Sequence, residues 1–382
     1  MGLRRDLSTS AGRLVFLAYL GLVVSAGWFQ PRYDWDVLGY VGCALELTES
    51  DSATIHARAY ADVRASVPAA VYADLVGRNP YRRDVAAEPQ HFRQQLPFYR
   101  ARVLYVGLIF ALGTLGLSLT QAAVLVSTAS AVLLGLLVFR WVARYVGGVG
   151  GGLASALILV AAGLLDAARA TTPDALSAAL LVLALYLWLE RRCARAALVV
   201  AGLSLLVRSD ALVPVLAVLV VARRQGVGPF ALTARRGVLT GAVLGGVCLA
   251  ATLLLRAHGW WTVFHHSFLG YVANPVDYRP AFALVDYAAV LVEALPALHS
   301  AGTALLAIYL GLAWIAWRRS REARPLFPLV VAVAASALVR FAIFPMLLER
   351  FFVAHLVAAG VLALMALAEV LGSTAIEEKE TA

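Results

Sequence analysis

Residues 13–40 read RLVFLAYLGLVVSAGWFQPRYDWDVLGY. An apolar run, 14–29, follows a basic start and stops at a proline and two aspartates, Asp34 and Asp36. A run of this length with no charge has the character of a membrane span. The basic start and apolar core also resemble a signal peptide, but further apolar runs follow, so the segment reads as an uncleaved first span.

The rest of the chain agrees. Of its 382 residues, 62% are hydrophobic and 14% charged, about half the usual charged share of a soluble domain. Its mean hydropathy is +0.80. The expected fold class is therefore all-α, a polytopic transmembrane bundle of about ten or eleven spans. The net charge of +9 does not point to nucleic acid. The arginines sit in short clusters between apolar runs, as the positive-inside rule expects of cytoplasmic loops. Lys379 is the only lysine. Cys43, Cys193 and Cys248 fall in separate compartments of the topology, which excludes a disulfide framework and leaves no metal-type spacing.

If each basic cluster is cytoplasmic, an even number of spans separates neighbours. The spans are then 14–29, 121–139, 150–169, 175–190, 196–207, 211–222, 237–256, 299–317, 326–343 and 353–371, with both ends inside. The run 101–117 would put FRWVARYV on the wrong side if it crossed, so it reads as a juxtamembrane or re-entrant helix; its crossing would give eleven spans. One domain covers 1–371, with a first outer loop at 30–100 and a second at 257–297. The tail, 372–382, reads as disordered. Within the first loop Ile55, Ala59 and Val63 fall four apart, and Val71 and Leu75 repeat the spacing, predicting weakly amphipathic helices on the membrane surface or against the spans.

Acids gather on the side expected to face outward: Asp34, Asp36, Asp166, Asp174, Asp210 and Glu349. Arg208, Arg340, Arg350, His265 and His266 share that side. A carboxylate at the lipid–water boundary can act as a general base toward a hydroxyl. An arginine there matches the geometry of a lipid-linked phosphate. Each residue also has a plainer reading. Thr172 or Asp174 would serve as a helix cap. Arg208 and Asp210 would pair at a helix break, Arg350 would snorkel to headgroups, and the histidines beside Trp260 and Trp261 would form an interfacial belt.

In order, DWDVLGY, QQLPFYRARVLYVGLIFALGTLG, LLVFRWVARYVGG, TTPDALSAALLVLALYLWLE, AGLSLLVRSDALVPVL and ERFFVAHLVAAGVL resemble the segments of the GT-C superfamily of membrane glycosyltransferases, which includes protein mannosyltransferases and aminoarabinose transferases. The resemblance covers about residues 14–371. Tyr40 stands four residues after Asp36 as the family pattern asks, but Val37 replaces the motif's glutamate. The resemblance implies an inverting transferase with a polyprenyl-phosphate sugar donor, at the outer face of a bacterial cytoplasmic membrane, and a glycan, lipid or protein acceptor. It implies Asp36 as base, Asp34 as its helper, Asp174 as the second acid, and Arg350 with Arg208 and Arg340 at the donor phosphate. Tyr40, His265, His266 and Tyr271 would line the substrate. No metal is obligatory; a Mg²⁺ or Mn²⁺ ion at Asp34 is the open possibility. A transporter or flippase, with ionisable groups near mid-membrane, and a non-catalytic envelope-assembly subunit are the other readings.

Overall fold

The computed structural model describes the backbone of residues 2–225, 234–278 and 280–381, and side chains within 10–224, 235–278 and 280–371. Helix α1 (Gly2–Phe29) leads into a group of short helices: α2 (Asp36–Leu45), α3 (Ser52–Ser66), α4 (Ala69–Gly77), α5 (Pro80–Ala87) and α6 (Pro89–Gln95). Next come α7 (Val103–Thr114), α8 (Leu119–Val142), α9 (Gly148–Ala161), α10 (Leu164–Arg169), α11 (Asp174–Leu189), α12 (Ala194–Leu205) and α13 (Leu212–Gln225). The last third holds α14 (Ala234–Leu254), α15 (Trp260–Phe268), α16 (Leu284–Ala294), α17 (Ala301–Arg319), α18 (Phe327–Ile343) and α19 (Val353–Thr381). The described residues contain no β-strand, only one isolated bridge. The all-helical reading is met.

Six helices are long and apolar enough to cross a membrane, within α1, α8, α14, α17, α18 and α19. The chain is a multi-pass membrane protein. The other four expected spans are shorter helices. At about 1.5 Å per residue, the 12 residues of α12 rise only about 18 Å against a hydrocarbon layer of about 30 Å. The expected single span 150–169 is corrected: it breaks between α9 and α10 at Gly163. Gly163 has φ 74°, a left-handed conformation that a residue with a Cβ adopts only at a cost. The run at 101–117 forms the 12-residue α7, about 18 Å long, packed on α2 and α8. The tail read as disordered continues α19 in backbone to Thr381; its side chains and residue 382 lie outside the described residues.

The segment 30–100 is more than a polar loop. Its helices build an apolar core, including Val37, Leu38, Ile55, Ala59, Val63, Leu75 and Phe92, that they share with α7 and α8. Ile55, Ala59 and Val63 are fully buried, as their spacing predicts. Local chemistry fixes the boundaries. Asp51 caps α3 by accepting from Thr54 N at 2.8 Å. Asn79 caps α5 by accepting from Arg82 N at 2.8 Å, with Pro80 at the first helical position. Asp62 of α3 accepts from Leu119 N at 3.0 Å and Thr120 N at 2.9 Å, satisfying two free donors at the start of α8. The small helical domain is thereby fastened to one end of the bundle. The bundle has a second core where α1, α8–α11 and α17–α19 meet.

Candidate functional site

Chain crossing places the first acid. Arg32 and Ala170 form the isolated parallel bridge, with Arg32 N donating to Arg169 O at 2.7 Å and Thr171 N donating to Arg32 O at 3.3 Å. Asp34 N then donates to Thr171 Oγ1 at 3.4 Å. The start of the small domain is thus laid alongside the turn TTPD. Asp34 and Asp174, 140 positions apart in sequence, come to one place, and Arg350 closes the gap. Its Nη1 donates to Asp34 Oδ2, and its Nε lies 3.3 Å from Asp174 Oδ2.

A second set of pairs continues from Asp174. Arg208 Nη1 donates to Asp174 Oδ1. The same guanidinium grips Asp210 in a two-pronged contact, Nε to Oδ1 at 3.0 Å and Nη2 to Oδ2 at 2.7 Å. Arg340 Nε donates to Asp210 Oδ2 at 3.0 Å. The order is therefore Asp34, Arg350, Asp174, Arg208, Asp210, Arg340. Phe351 packs against all three guanidinium groups, at 4.7 Å for Arg208, 4.4 Å for Arg340 and 5.4 Å for Arg350. Cations over an aromatic face gain from its quadrupole, most where water is excluded. Arg340 is 3% exposed and the Asp174 side chain 1%, so these two are screened from water, while Asp34 and Asp210 keep 28% and 27% exposure.

Burial alone would raise the Asp210 carboxyl, yet Arg208 and Arg340 overcome this and hold it well below the usual carboxylate range. Arg208 is thus committed to carboxylates on all three of its nitrogens. Arg340 Nη1 and Arg350 Nε, by contrast, are buried without a hydrogen-bond partner. Arg340 and Arg350 both line a small cavity of about 20 Å³, with Asp174, Arg208, Asp210 and His355. The capping reading of Asp174 is not met. Pro173 occupies the N-cap of α11 and no side chain caps it; Thr172 Oγ1 instead donates to Asp174 Oδ2 at 2.7 Å. Arg350, with a side chain 10% exposed, points inward rather than to headgroups.

Asp36 differs from its neighbours. It stands at the first turn of α2 and, among the described residues, makes no ion pair. Its one polar partner is Tyr99, whose hydroxyl donates to Oδ1 at 3.3 Å. Burial pushes the Asp36 carboxyl above the usual range, Asp34 and Asp174 push the same way, and Arg350 and Arg102 oppose them. Gly39 makes the Tyr99 contact possible. A Cβ there would lie 2.3 Å from two carbons of the Tyr99 ring, so only glycine lets the ring rest on the helix backbone. Tyr40 is in the core beneath, 3% exposed and edge-on to Tyr99 at 5.2 Å and Tyr105 at 4.9 Å. Its placement is that of a packing residue supporting Tyr99.

His265, His266 and Tyr271 lie apart from the ion-pair network. His266 Nε2 is 3.2 Å from Tyr81 OH, and its ring packs against Phe98 at 4.6 Å. Tyr271 stacks on Tyr81 at 5.0 Å and is 62% exposed. His265 Nε2 meets Tyr278 OH at 3.2 Å. Burial, with His258 and His265 alongside, lowers the His266 ring to about 4, so it is neutral near pH 7. The group joins the segment 257–297 to the small domain. It reaches the acids through Trp35, which lies between Asp34 and Asp36 in sequence and 6.0 Å from Tyr81. Trp35 also carries Arg82 over its ring at 5.2 Å.

Four contributors were not singled out in the sequence: Tyr99, Thr171, Phe351 and His355. The first three gain meaning only from chain crossings. His355 gave the one local signal, an isolated histidine in the apolar run FFVAHLVAAGVL. Among the described residues no group of three His, Cys, Asp or Glu side chains is arranged to hold a metal ion. Arg350 bonds Asp34 Oδ2, and Arg32 Nε lies 4.0 Å from Oδ1. No family model, no curated protein and no solved structure matches this chain.

Proposed function

We propose that this protein is an inverting membrane glycosyltransferase of the GT-C type. It would take a sugar from a polyprenyl-phosphate donor and pass it to a glycan, lipid or protein acceptor of the cell envelope, at the outer face of a bacterial cytoplasmic membrane. The observation that carries the reading is the contrast between Asp36 and its neighbours. One carboxyl of raised proton affinity stands without an ion pair beside a linked set of arginines, of which Arg340 keeps an unpartnered N–H. General base and anion site are then adjacent, as displacement of a phosphate by a hydroxyl requires.

In this reading the acceptor oxygen forms a bond to the anomeric carbon as the carbon–oxygen bond to phosphate breaks. The acceptor proton passes to Asp36, and the departing phosphate keeps the electron pair. Attack opposite the phosphate inverts the centre. Arg340 offers its unpartnered Nη1–H to the departing charge, and Arg350, ion-paired between Asp34 and Asp174, adds its positive charge beside it. Arg208, saturated by Asp174 and Asp210, positions them and does not bind phosphate itself. Asp34 and Asp174 hold Arg350 from two sides. Tyr99 orients Asp36, and the aromatic wall from Trp35 to Tyr271 faces the acceptor. No step needs a metal ion.

The test is transfer of radiolabelled sugar from a panel of polyprenyl-phosphate sugars to an envelope acceptor fraction, comparing wild type with Asp36→Asn. Label transfer by wild type and its loss by about 10²-fold or more in the variant supports the assignment. Equal transfer by both removes Asp36 as base, and no transfer with any donor by folded protein removes the glycosyltransferase reading.

A further inference from the structure

His355 is buried in the first turn of α19, 4% exposed, and neither ring nitrogen has a hydrogen-bond partner. A buried imidazole left without partners forfeits the hydration it had in water, a cost of the order of a hydrogen bond or more. Native interiors seldom leave such a group without a partner, whether water, ion or ligand. Its position shows what is missing. The ring borders the small polar cavity that holds Arg340 and Arg350. It also borders a second cavity of about 70 Å³, walled by apolar side chains of α11, α12, α13, α18 and α19, such as Leu181, Trp188, Val215, Val333 and Ala358. Leu181, Pro214, Ala354 and His355 line both.

One chamber is therefore cationic at its polar donors and its neighbour is apolar. Charge complementarity selects an amphiphile with an anionic head on the arginines and a hydrocarbon tail in the apolar chamber. At the join between them lies the oxygen that links phosphate to lipid. We infer that His355 is a specificity-determining residue that donates a hydrogen bond to this bridging ester oxygen and so selects phosphate esters of long-chain alcohols. The inference rests on the donor reading above and deepens it. Its consequence is a preference that neither the arginines nor the apolar walls provide, since both would accept any tailed dianion.

The test uses the full chain in lipid nanodiscs at about pH 9, above the second ionisation of a phosphate near 6. Two radiolabelled probes are compared: a long prenyl monophosphate, and the matching phosphonate with CH₂ in place of the bridging oxygen. Wild type is expected to bind the phosphate at least about tenfold more tightly, the worth of one hydrogen bond to a charged group. His355→Phe is expected to bind the two probes equally, with phosphonate affinity near that of wild type, while His355→Asn keeps part of the preference through its amide N–H. Equal binding of both probes by wild type overturns the role of His355 but leaves the lipid-phosphate reading standing. Loss of both probes in His355→Phe assigns the ring to packing and likewise overturns the inference. Binding of neither probe by folded wild type overturns both.

Discussion

Asp36 and Asp210 are two carboxylates on one side of one site, and the structure gives them opposite effects on stability. Asp210 accepts three hydrogen bonds from two guanidinium groups, Arg208 and Arg340, whose side chains are 15% and 3% exposed. Replacing it with a neutral amide leaves two buried cations without their shared counter-charge. Removing one partner of a buried pair costs about 3–5 kcal/mol. Asp36 has a proton affinity raised by burial and by Asp34 and Asp174, so its native form holds the proton more tightly than the unfolded chain does. Stability from this group is full below the unfolded value of 3.8 and is lost as pH rises through the higher folded value. Above that range the raised proton affinity of Asp36 opposes folding, and Asp36→Asn relieves that opposition. Thermal unfolding in detergent at pH 7 is therefore expected to fall by about 6–10 °C for Asp210→Asn, taking about 2 °C per kcal/mol for a chain of this size. Asp36→Asn is expected to melt at or slightly above wild type. Equal melting of Asp210→Asn and wild type would refute the account of the network, and a comparable drop in Asp36→Asn would refute the account of the unpaired acid.

Two further outcomes follow from the same geometry. Gly39→Ala forces a Cβ against the Tyr99 ring and is expected to cost about 1–3 kcal/mol, while lowering transfer by moving the hydroxyl off Asp36; melting and kcat/KM together check it, and unchanged values in both would show that the ring is not needed where it lies. His266, lowered to about 4, binds fewer protons in the folded chain than the unfolded one between that value and 6.5, so its contribution to stability is present above pH 6.5 and lost as pH falls toward 4. Acid unfolding monitored by tryptophan fluorescence is expected to begin in that window and to shift to lower pH in His266→Phe; identical curves would remove His266 as the cause.

Much of this site was readable from residue order. Asp34, Asp174, Arg208, Arg340 and Arg350 were each singled out as acids or cations at the ends of apolar runs, and they do converge. The i to i+2 pair of Arg208 and Asp210 is local, so sequence alone could name it. Ile55, Ala59 and Val63 carried the helical period and are buried as that period requires. The remainder depended on contacts between distant segments. The same four-residue step that relates Tyr40 to Asp36 fits a substrate residue or a packing residue, and only the rings of Tyr99 and Tyr105 beside it decide for packing. The break at Gly163 was hidden because glycine is common in membrane helices and only its positive φ distinguishes a bend from a continuous turn. Four of the ten expected spans are shorter helices for a related reason. Charge placement constrains the parity of crossings but says nothing of whether each apolar run forms one helix of full length.

The bridge between Arg32 and Ala170 has a consequence for how such a protein can change over time. Both of its hydrogen bonds join main-chain atoms, Arg32 N to Arg169 O and Thr171 N to Arg32 O. Such bonds are indifferent to the side chains at 32, 169 and 170, and forbid only a proline at the two donor positions. The joint that aligns Asp34 with Asp174 is therefore written mainly in chain direction, with the Thr171 hydroxyl and the buried Ala170 as its side-chain requirements. Descendants of this gene can replace most of the surrounding letters and keep the acids in register, so kinship at this site is better sought in the crossing of two backbones than in any string of residues.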